Sequence, residues 1–501
     1  MNKQIRRLCV GLVLCYGALF VQLNYVQVLQ ADELNNNPGN SRAIFRDFSQ
    51  PRGTVQTADG VVLAQSVPSD DRFELQRVFP EGDLYGHITG FFSFTFGAEG
   101  VERAYNDELA GKTAEQEFRS LSDLFVERNR TGNLTLTVRD AVQRAARDAL
   151  GDRRGSVVAL DPRTGGILAS WTNPSYDPNA LSSHDPEAAS AARDALLDDP
   201  ANPLQPKAYR ETYFPGSTFK VVTAAAGLRS GEVTPEAPVY EVSSEYIAPQ
   251  TTRPLRNFGG STCGGALFAI LAASCNTAFA EMGAETLGPE IMIAGAEAFG
   301  FNSEPPLDLP APVASTFRTD YEQDLPILAQ TAIGQNGVRA SPLQLALNAA
   351  AVANEGRIMA PHVLNEIRDG EGEVIQTYEP SAWQTPLDSN AATILRQAMI
   401  GVVESGTASR LAIDGLEIGG KTGTAEVQQP DGSLADAALI IAFAGPPGQP
   451  PEVAVAVVVE AAGTNEEQTG GQTAAPIARQ VIEAALSAPS GEPVDPPASG
   501  G

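Results

Sequence analysis

The sequence predicts an α/β protein of the α+β kind, with one antiparallel sheet built from both ends of its main domain and helices on the faces of that sheet. Three observations predict it. Two β-patterned runs, residues 156–161 and 167–172, flank the turn Pro162-Arg163-Thr164-Gly165-Gly166. Ala-rich helical patterns then dominate from Ser217 to about Ile400. Strand patterns return at residues 416–427, 437–444 and 453–460, with Pro430-Asp431-Gly432 as a turn, and a helix is expected over 474–486.

The chain around this domain divides readily. Residues 1–30 open with Lys3, Arg6 and Arg7, followed by an apolar run from Leu8 to Val21. No small-residue cleavage site follows, so the segment reads as an uncleaved transmembrane signal-anchor with a cytoplasmic tip. Positive-inside bias then places the bulk of the chain outside the plasma membrane, as a single-pass protein. Residues 31–150 form a small N-terminal domain. Within it residues 54–57 and 61–64 read as a hairpin, and 140–150 as an amphipathic helix capped by Asp140 or its neighbour. The main domain covers 151–487, and residues 173–213 read as a long loop-rich stretch. The tail, 488–501, is rich in Pro, Gly and Ser and reads as disordered.

Composition removes several function classes. The chain has 501 residues, with 34 Lys+Arg against 61 Asp+Glu and a net charge of -27. Such acidity argues against a nucleic-acid partner, which needs a basic face to meet phosphates. His87, His184 and His362 are scattered, with no metal-ligand spacing, so no metal or cofactor is expected. Cys9 and Cys15 lie in the anchor. Cys263 and Cys275 lie in the exported part, where a disulfide persists if the two approach, and the sequence leaves that pairing open. Only Lys3, Lys112, Lys207, Lys220 and Lys421 carry positive charge as lysine; the other basic residues are Arg.

Two of those lysines sit in patterns that carry chemistry. In Pro215-Gly216-Ser217-Thr218-Phe219-Lys220, a turn leads into an apolar helix. Ser217 and Lys220 then share one helix face, so the amine reaches the hydroxyl. A serine is a weak nucleophile until a base takes its proton, and a lysine buried among apolar residues sheds its own proton and becomes that base. Arg cannot do this, because it stays protonated. The helix N-terminus adds positive potential for a developing oxyanion. A lone Ser-x-x-Lys is nevertheless common. So is Ser274-Cys275-Asn276, which by itself reads as a helix cap.

The third pattern, Gly419-Gly420-Lys421-Thr422-Gly423-Thr424, contains a decoy. From Gly415 to Thr422 the sequence matches the phosphate-cradling pattern G-x-x-x-x-G-K-T letter for letter. A P-loop NTPase would need a helix directly after it, so that amides and the helix end hold phosphate. Here the pattern leads into a strand and a Pro-Asp-Gly turn, which makes the NTPase a remote alternative.

Taken together and in this order, Ser-x-x-Lys, Ser-x-Asn and Lys-Thr-Gly resemble the penicillin-recognising serine acyltransferases. Further stretches resemble the class B penicillin-binding proteins, which are monofunctional D,D-transpeptidases. They are Arg52-Gly53 with Asp59-Gly60 and Leu63-Ala64, and Gly97 to Gly111 with Glu102 and Tyr105. Leu160-Asp161-Pro162, Pro174 to Asn179, and Gly334-Gln335 add to the likeness. Short N-terminal region, length and Arg-rich composition resemble the actinobacterial branch. Two positions depart from the pattern: Cys275 in the middle of Ser-x-Asn, and Asn336 before the second Gly of the loop element.

The resemblance implies a five-stranded antiparallel sheet flanked by helices, on a pedestal or dimerisation-like N-terminal domain. It implies that Ser217 attacks the penultimate D-Ala carbonyl of a peptidoglycan stem peptide, carried on a lipid-linked precursor. Lys220 would be the base and Ser274 a proton relay to the departing D-Ala. Ser217 and Thr424 amides would form the oxyanion hole. Asn276 would bind the donor amide, and Lys421, Thr422, Gly423 and Thr424 its terminal carboxylate. β-Lactams would acylate Ser217. A D,D-carboxypeptidase or a β-lactamase-type hydrolase is the alternative reading of the same motifs. The resemblance also implies a glycosyltransferase partner of the shape, elongation, division and sporulation family.

Overall fold

The structure is a computed structural model, and it describes residues 3–25, 48–113, 116, 130–321, 324–428, 434–460 and 468–487. The expected disordered tail, the Pro430-Asp431-Gly432 turn and residues 26–47 lie outside these.

Two bodies are distinguished, residues 1–51 with 66–76, and residues 52–65 with 77–501. In the first, helix α1 (Lys3–Asn24) carries the apolar run. Its stretch Lys3–Gln22 is long and apolar enough to cross a membrane. Leu8, Val13, Leu14 and Phe20 on it are exposed. Phe48 and Phe73 pack in the same body with ring centroids 5.8 Å apart.

In the second body the N-terminal module is built on β1 (Val55–Gln56), which pairs antiparallel with β2 (Val62–Pro68) through Val55 and Ala64, as the hairpin pattern predicts. Strand β3 (Asn133–Leu136) pairs parallel with β1. Arg52 and Arg77 enclose Glu102 there, with Nε atoms 3.1 and 2.6 Å from its two carboxylate oxygens, and all three are buried. Burial raises the Glu102 pKa, but the two guanidiniums outweigh it and hold the carboxyl below its usual range. Helix α2 (Asp140–Leu150) has the expected bounds, and the cap position falls on the neighbour of Asp140. Arg139 holds the cap position without a side-chain bond, and the Asp59 carboxylate accepts from Asp140 N at 3.0 Å. A residue distant in sequence thus satisfies the helix start, which local reading does not find.

The main domain opens with β4 (Gly155–Leu160) and β5 (Ile167–Asn173). The stretch read as loop contains a 13-residue helix, α3 (Pro186–Asp198). Asp185 caps it, accepting from Glu187 N at 3.0 Å, and Pro186 occupies the first turn, so the start signal was present. Helix α4 (Lys220–Ser230) follows a 3-10 turn, Gly216–Phe219. Strand β6 (Cys263–Gly265), helix α5 (Asn276–Glu281) and helix α6 (Pro342–Ala353) come next. Strands β7 (Leu364–Arg368) and β8 (Val374–Thr377) interrupt the expected helical stretch. β7 returns to the N-terminal module and pairs antiparallel with β3, so that module is completed by chain from beyond residue 151.

Helix α7 (Ser389–Ser405) leads to β9 (Glu417–Gln428), β10 (Leu434–Gly445) and β11 (Val453–Val459), and helix α8 (Ala475–Ser487) ends the fold. The sheet order is β9-β10-β11-β4-β5, antiparallel throughout, so both ends of the domain meet where β11 pairs with β4. Every residue of β11 is buried, and its run of Val and Ala suits a strand covered on both faces. Helices α2, α6 and α8 pack against this sheet. Ser341 caps α6 by accepting from Gln344 N at 3.1 Å, and all twelve of its residues are buried. Its mostly apolar surface places it in the core, and its two amides, Gln344 and Asn348, bond each other there.

Candidate active site

Edge strand β9 and the N-terminal turn of α4 meet at one place. Gly216 has φ +52, and a Cβ there would lie 2.4 Å from Thr424 O, so only glycine lets the turn approach the strand this closely. Gly216 N donates to Gly334 O at 2.9 Å, which ties the Gly334-Gln335 loop to the same turn. The turn presents Ser217 to a cleft of about 1110 Å³ lined by Ser217, Ser274, Asn276, Thr422, Gly423 and Thr424.

Lys220 begins α4 one turn beyond Ser217 and is fully buried. Its Nζ lies 3.0 Å from Ser217 Oγ, 2.6 Å from Ser274 O, 3.3 Å from Ser274 Oγ and 2.6 Å from Asn276 Oδ1. Burial, and secondarily the charge of Lys421, holds its pKa well below the ordinary lysine value. The lowered pKa favours the neutral amine, the form that can take a proton from the serine next to it.

Ser274 reaches this position through a strained backbone. It closes the helix Leu267–Ala272 with φ +54, a left-handed conformation that costs a non-glycine residue about 1 kcal/mol or more. The next residue, Cys275, is bonded to Cys263 of β6, with Cα atoms 5.7 Å apart. The pairing left open by the sequence is made, and it anchors the middle residue of Ser-x-Asn. Asn257 holds the other side, its Oδ1 accepting from Thr277 N at 3.0 Å.

Lys421 comes from β9, and its Nζ donates to Ser274 Oγ at 2.8 Å and to Thr422 O at 3.0 Å. It too is fully buried, and burial lowers its pKa to about 7. Thr422 Oγ1 lies 2.7 Å from Thr407 Oγ1, at the end of α7. The P-loop alternative fails on the backbone. Strand β9 runs straight through Gly420-Lys421-Thr422, which pair with Ala442, Ile441 and Ile440, so no helix N-terminus follows to hold phosphate.

The structure thus brings all eight sequence-chosen residues to one cleft or directly behind it. Two side chains differ in orientation from expectation. Asn276 turns Oδ1 to Lys220 and donates from Nδ2 to Arg256 O at 3.1 Å. Lys421 points inward to Ser274 and does not line the cleft. Sequence reading missed Asn257, Thr407, Arg410 and the Gly470-Gly471-Gln472 segment, all of which line the cleft. The Gly-Gly pair before the last helix was the one available signal. A Cβ at Gly470 would lie 2.1 Å from Leu439 O, which marks a close backbone approach.

Residues 155–483 match the model of the penicillin-binding protein transpeptidase domain. The chain belongs to the penicillin-binding protein transpeptidases. Residues 52–134 match the penicillin-binding protein A dimerisation domain. The peptidoglycan D,D-transpeptidase PbpA of Mycolicibacterium smegmatis is 40% identical over 496 residues, covering 97% of this chain and 99% of that one. The protein of the same name from Mycobacterium tuberculosis is 39% identical over 503 residues, with 98% and 100% covered. A ceftriaxone acyl-enzyme structure of penicillin-binding protein A from M. tuberculosis superposes with a TM-score of 0.82 at 38% identity, covering 88% of this chain and all of that one. This penicillin-binding protein accordingly combines the transpeptidase fold with a short N-terminal module, and its motif residues converge at the edge of the five-stranded sheet.

Proposed function

We propose that the protein is a serine D,D-transpeptidase that cross-links peptidoglycan stem peptides and is acylated by β-lactams. One observation carries the reading: a buried lysine amine of lowered pKa lies 3.0 Å from Ser217 Oγ in an open cleft. Lys220 takes the Ser217 proton as Oγ attacks the penultimate D-Ala carbonyl. Ser217 and Thr424 amides stabilise the oxyanion. Ser274, in contact with both lysines, relays a proton to the departing D-Ala amine. Asn276 and Thr422, Gly423 and Thr424 of β9 align the donor, whose acyl group then passes to the amine of a second stem peptide. Lys421 holds Ser274 in place and adds positive potential behind the carboxylate site.

The amphipathic partition of the chain supports the location. The apolar α1 spans the plasma membrane, the N-terminal module acts as a pedestal, and that module docks a glycosyltransferase of the shape, elongation, division and sporulation family. Deletion of residues 31–140 with unchanged co-purification of such a polymerase contradicts the docking role.

Turnover of a D-Ala-D-Ala-mimicking thioester, with and without a D-amino acid, tests the reaction. The reading expects a new amide product and Ser217→Ala without turnover. Hydrolysis alone, unaffected by the acceptor, points instead to a carboxypeptidase or β-lactamase-type hydrolase.

A further inference from the structure

We propose that Arg410 is the residue that reads the free carboxylate of the donor peptide, and equally the carboxylate of a β-lactam. The proposal rests on the acyl-serine reading and names a specificity determinant that the three motifs do not contain.

Arg410 lies in the short turn Ser409–Leu411 after α7, and it lines the cleft beside Thr407, Thr422 and Gln472. Among the described residues it is the only Lys or Arg on the cleft wall. Its side chain is exposed, and its one hydrogen bond is a long contact of 3.4 Å from Nη1 to Gln472 O. Among the described residues no carboxylate forms an ion pair with it, so the guanidinium on this wall is free to take an anionic ligand. Three residues before it, Thr407 bonds Thr422 through their hydroxyls, so the Arg410 turn is fastened to the Lys-Thr-Gly strand.

Chemistry favours Arg over the motif lysine for this task. Lys421 spends its donors on Ser274 Oγ and Thr422 O, inside the wall. With its pKa near 7, it is not charged at all working pH values. A guanidinium stays charged and grips a carboxylate through two parallel N–H bonds. Arg410 binds the donor directly by this account: it holds the carboxylate end, so that the scissile carbonyl stays over Ser217.

The test compares benzylpenicillin with its uncharged methyl ester, using the full chain in detergent. Second-order acylation rates are measured for wild type, Arg410→Gln and Arg410→Lys. Arg410→Gln is expected to slow acylation by the free acid about tenfold or more, as loss of a charge-assisted pair does. The ester rate should stay within about twofold of wild type, and Arg410→Lys should recover part of the loss. The ester rate also reports that the variant folds. An equal fall for acid and ester, or no fall for either, overturns the proposal. Wild-type protein that forms no adduct with either compound overturns the acyl-serine reading, and this proposal with it.

Discussion

Lys421 places its amine 2.8 Å from the Ser274 hydroxyl, and so fixes that hydroxyl between two lysines. Lys220 lies on the other side at 3.3 Å. Two buried amines this close cannot both hold a proton cheaply, and the charge of Lys421 is one of the two causes that lower the Lys220 pKa. The pH dependence of acylation follows. The rate rises with pH as Lys220 becomes neutral and levels off well below the ordinary lysine value of 10.5. Lys421→Met removes the repelling charge, so the Lys220 pKa climbs and the rising limb moves to higher pH. A pH profile of penicillin acylation reads the limb directly; an unmoved limb contradicts the coupling.

The same substitution has a stability signature with a definite sign. The Lys421 pKa falls from 10.5 in its ordinary state to about 7 when folded. Between those values the unfolded chain binds a proton that the folded chain does not. Wild type therefore loses stability as pH drops from about 10.5 to about 7, and the loss then levels off. Lys421→Met should gain on wild type across that window in denaturant midpoints, with a constant difference at lower pH.

Ser274→Ala removes the hydroxyl between the amines while leaving Lys220 3.0 Å from Ser217. Loss of a proton relay costs about 100-fold or more in rate. Stopped-flow acylation should show that fall with the thermal midpoint little changed, because a residue with φ +54 is equally strained as Ala. A rate within threefold of wild type excludes the relay.

Gly334→Ala is expected to damage the site without touching a motif. Its Cβ would lie 1.9 Å from Gly216 O, and φ is +85, so neither space nor backbone admits a side chain. The cost is about 2 kcal/mol or more in urea unfolding, with acylation lost alongside, because the displaced backbone is the turn that carries Ser217. Normal acylation at normal stability contradicts the close packing.

The N-terminal module gives an independent test. Glu102→Gln leaves Arg52 and Arg77 buried without their shared carboxylate, at an expected cost of about 3–5 kcal/mol. The folded Glu102 pKa is held down, so its contribution is present above the ordinary glutamate range and is lost as pH falls through the lower folded value. Urea midpoints at neutral pH measure the first effect. A change below 1 kcal/mol contradicts the central role of this cluster.

Sequence reading captured what is encoded by local pattern. The Ser-x-x-Lys spacing, the glycine turn before Ser217 and the five strands of the main sheet each follow from periodicity or neighbouring turn residues. What it missed depends on residues distant in the chain. β7 is too short and too evenly mixed to announce itself, and only its pairing with β3 makes it a strand. Lys207, with no local pattern that marks its role, is buried, with Nζ 2.7 Å from Glu460 Oε1, and Tyr213 donates to the same oxygen at 2.8 Å. Lys220 and Lys207 are both buried lysines, but one faces a carboxylate and the other does not. That difference, which separates a structural ion pair from a base, has no local sequence signal. Thr407 and Arg410 are single polar residues whose meaning comes from the Thr422 hydroxyl on another element.

The central claim is that Ser217 is the acylated nucleophile. Intact-protein mass spectrometry after exposure to benzylpenicillin tests it most directly. The account predicts one covalent adduct of the mass of the drug on wild type, located on the peptide that contains Ser217, and none on Ser217→Ala. An adduct of equal yield on Ser217→Ala contradicts it.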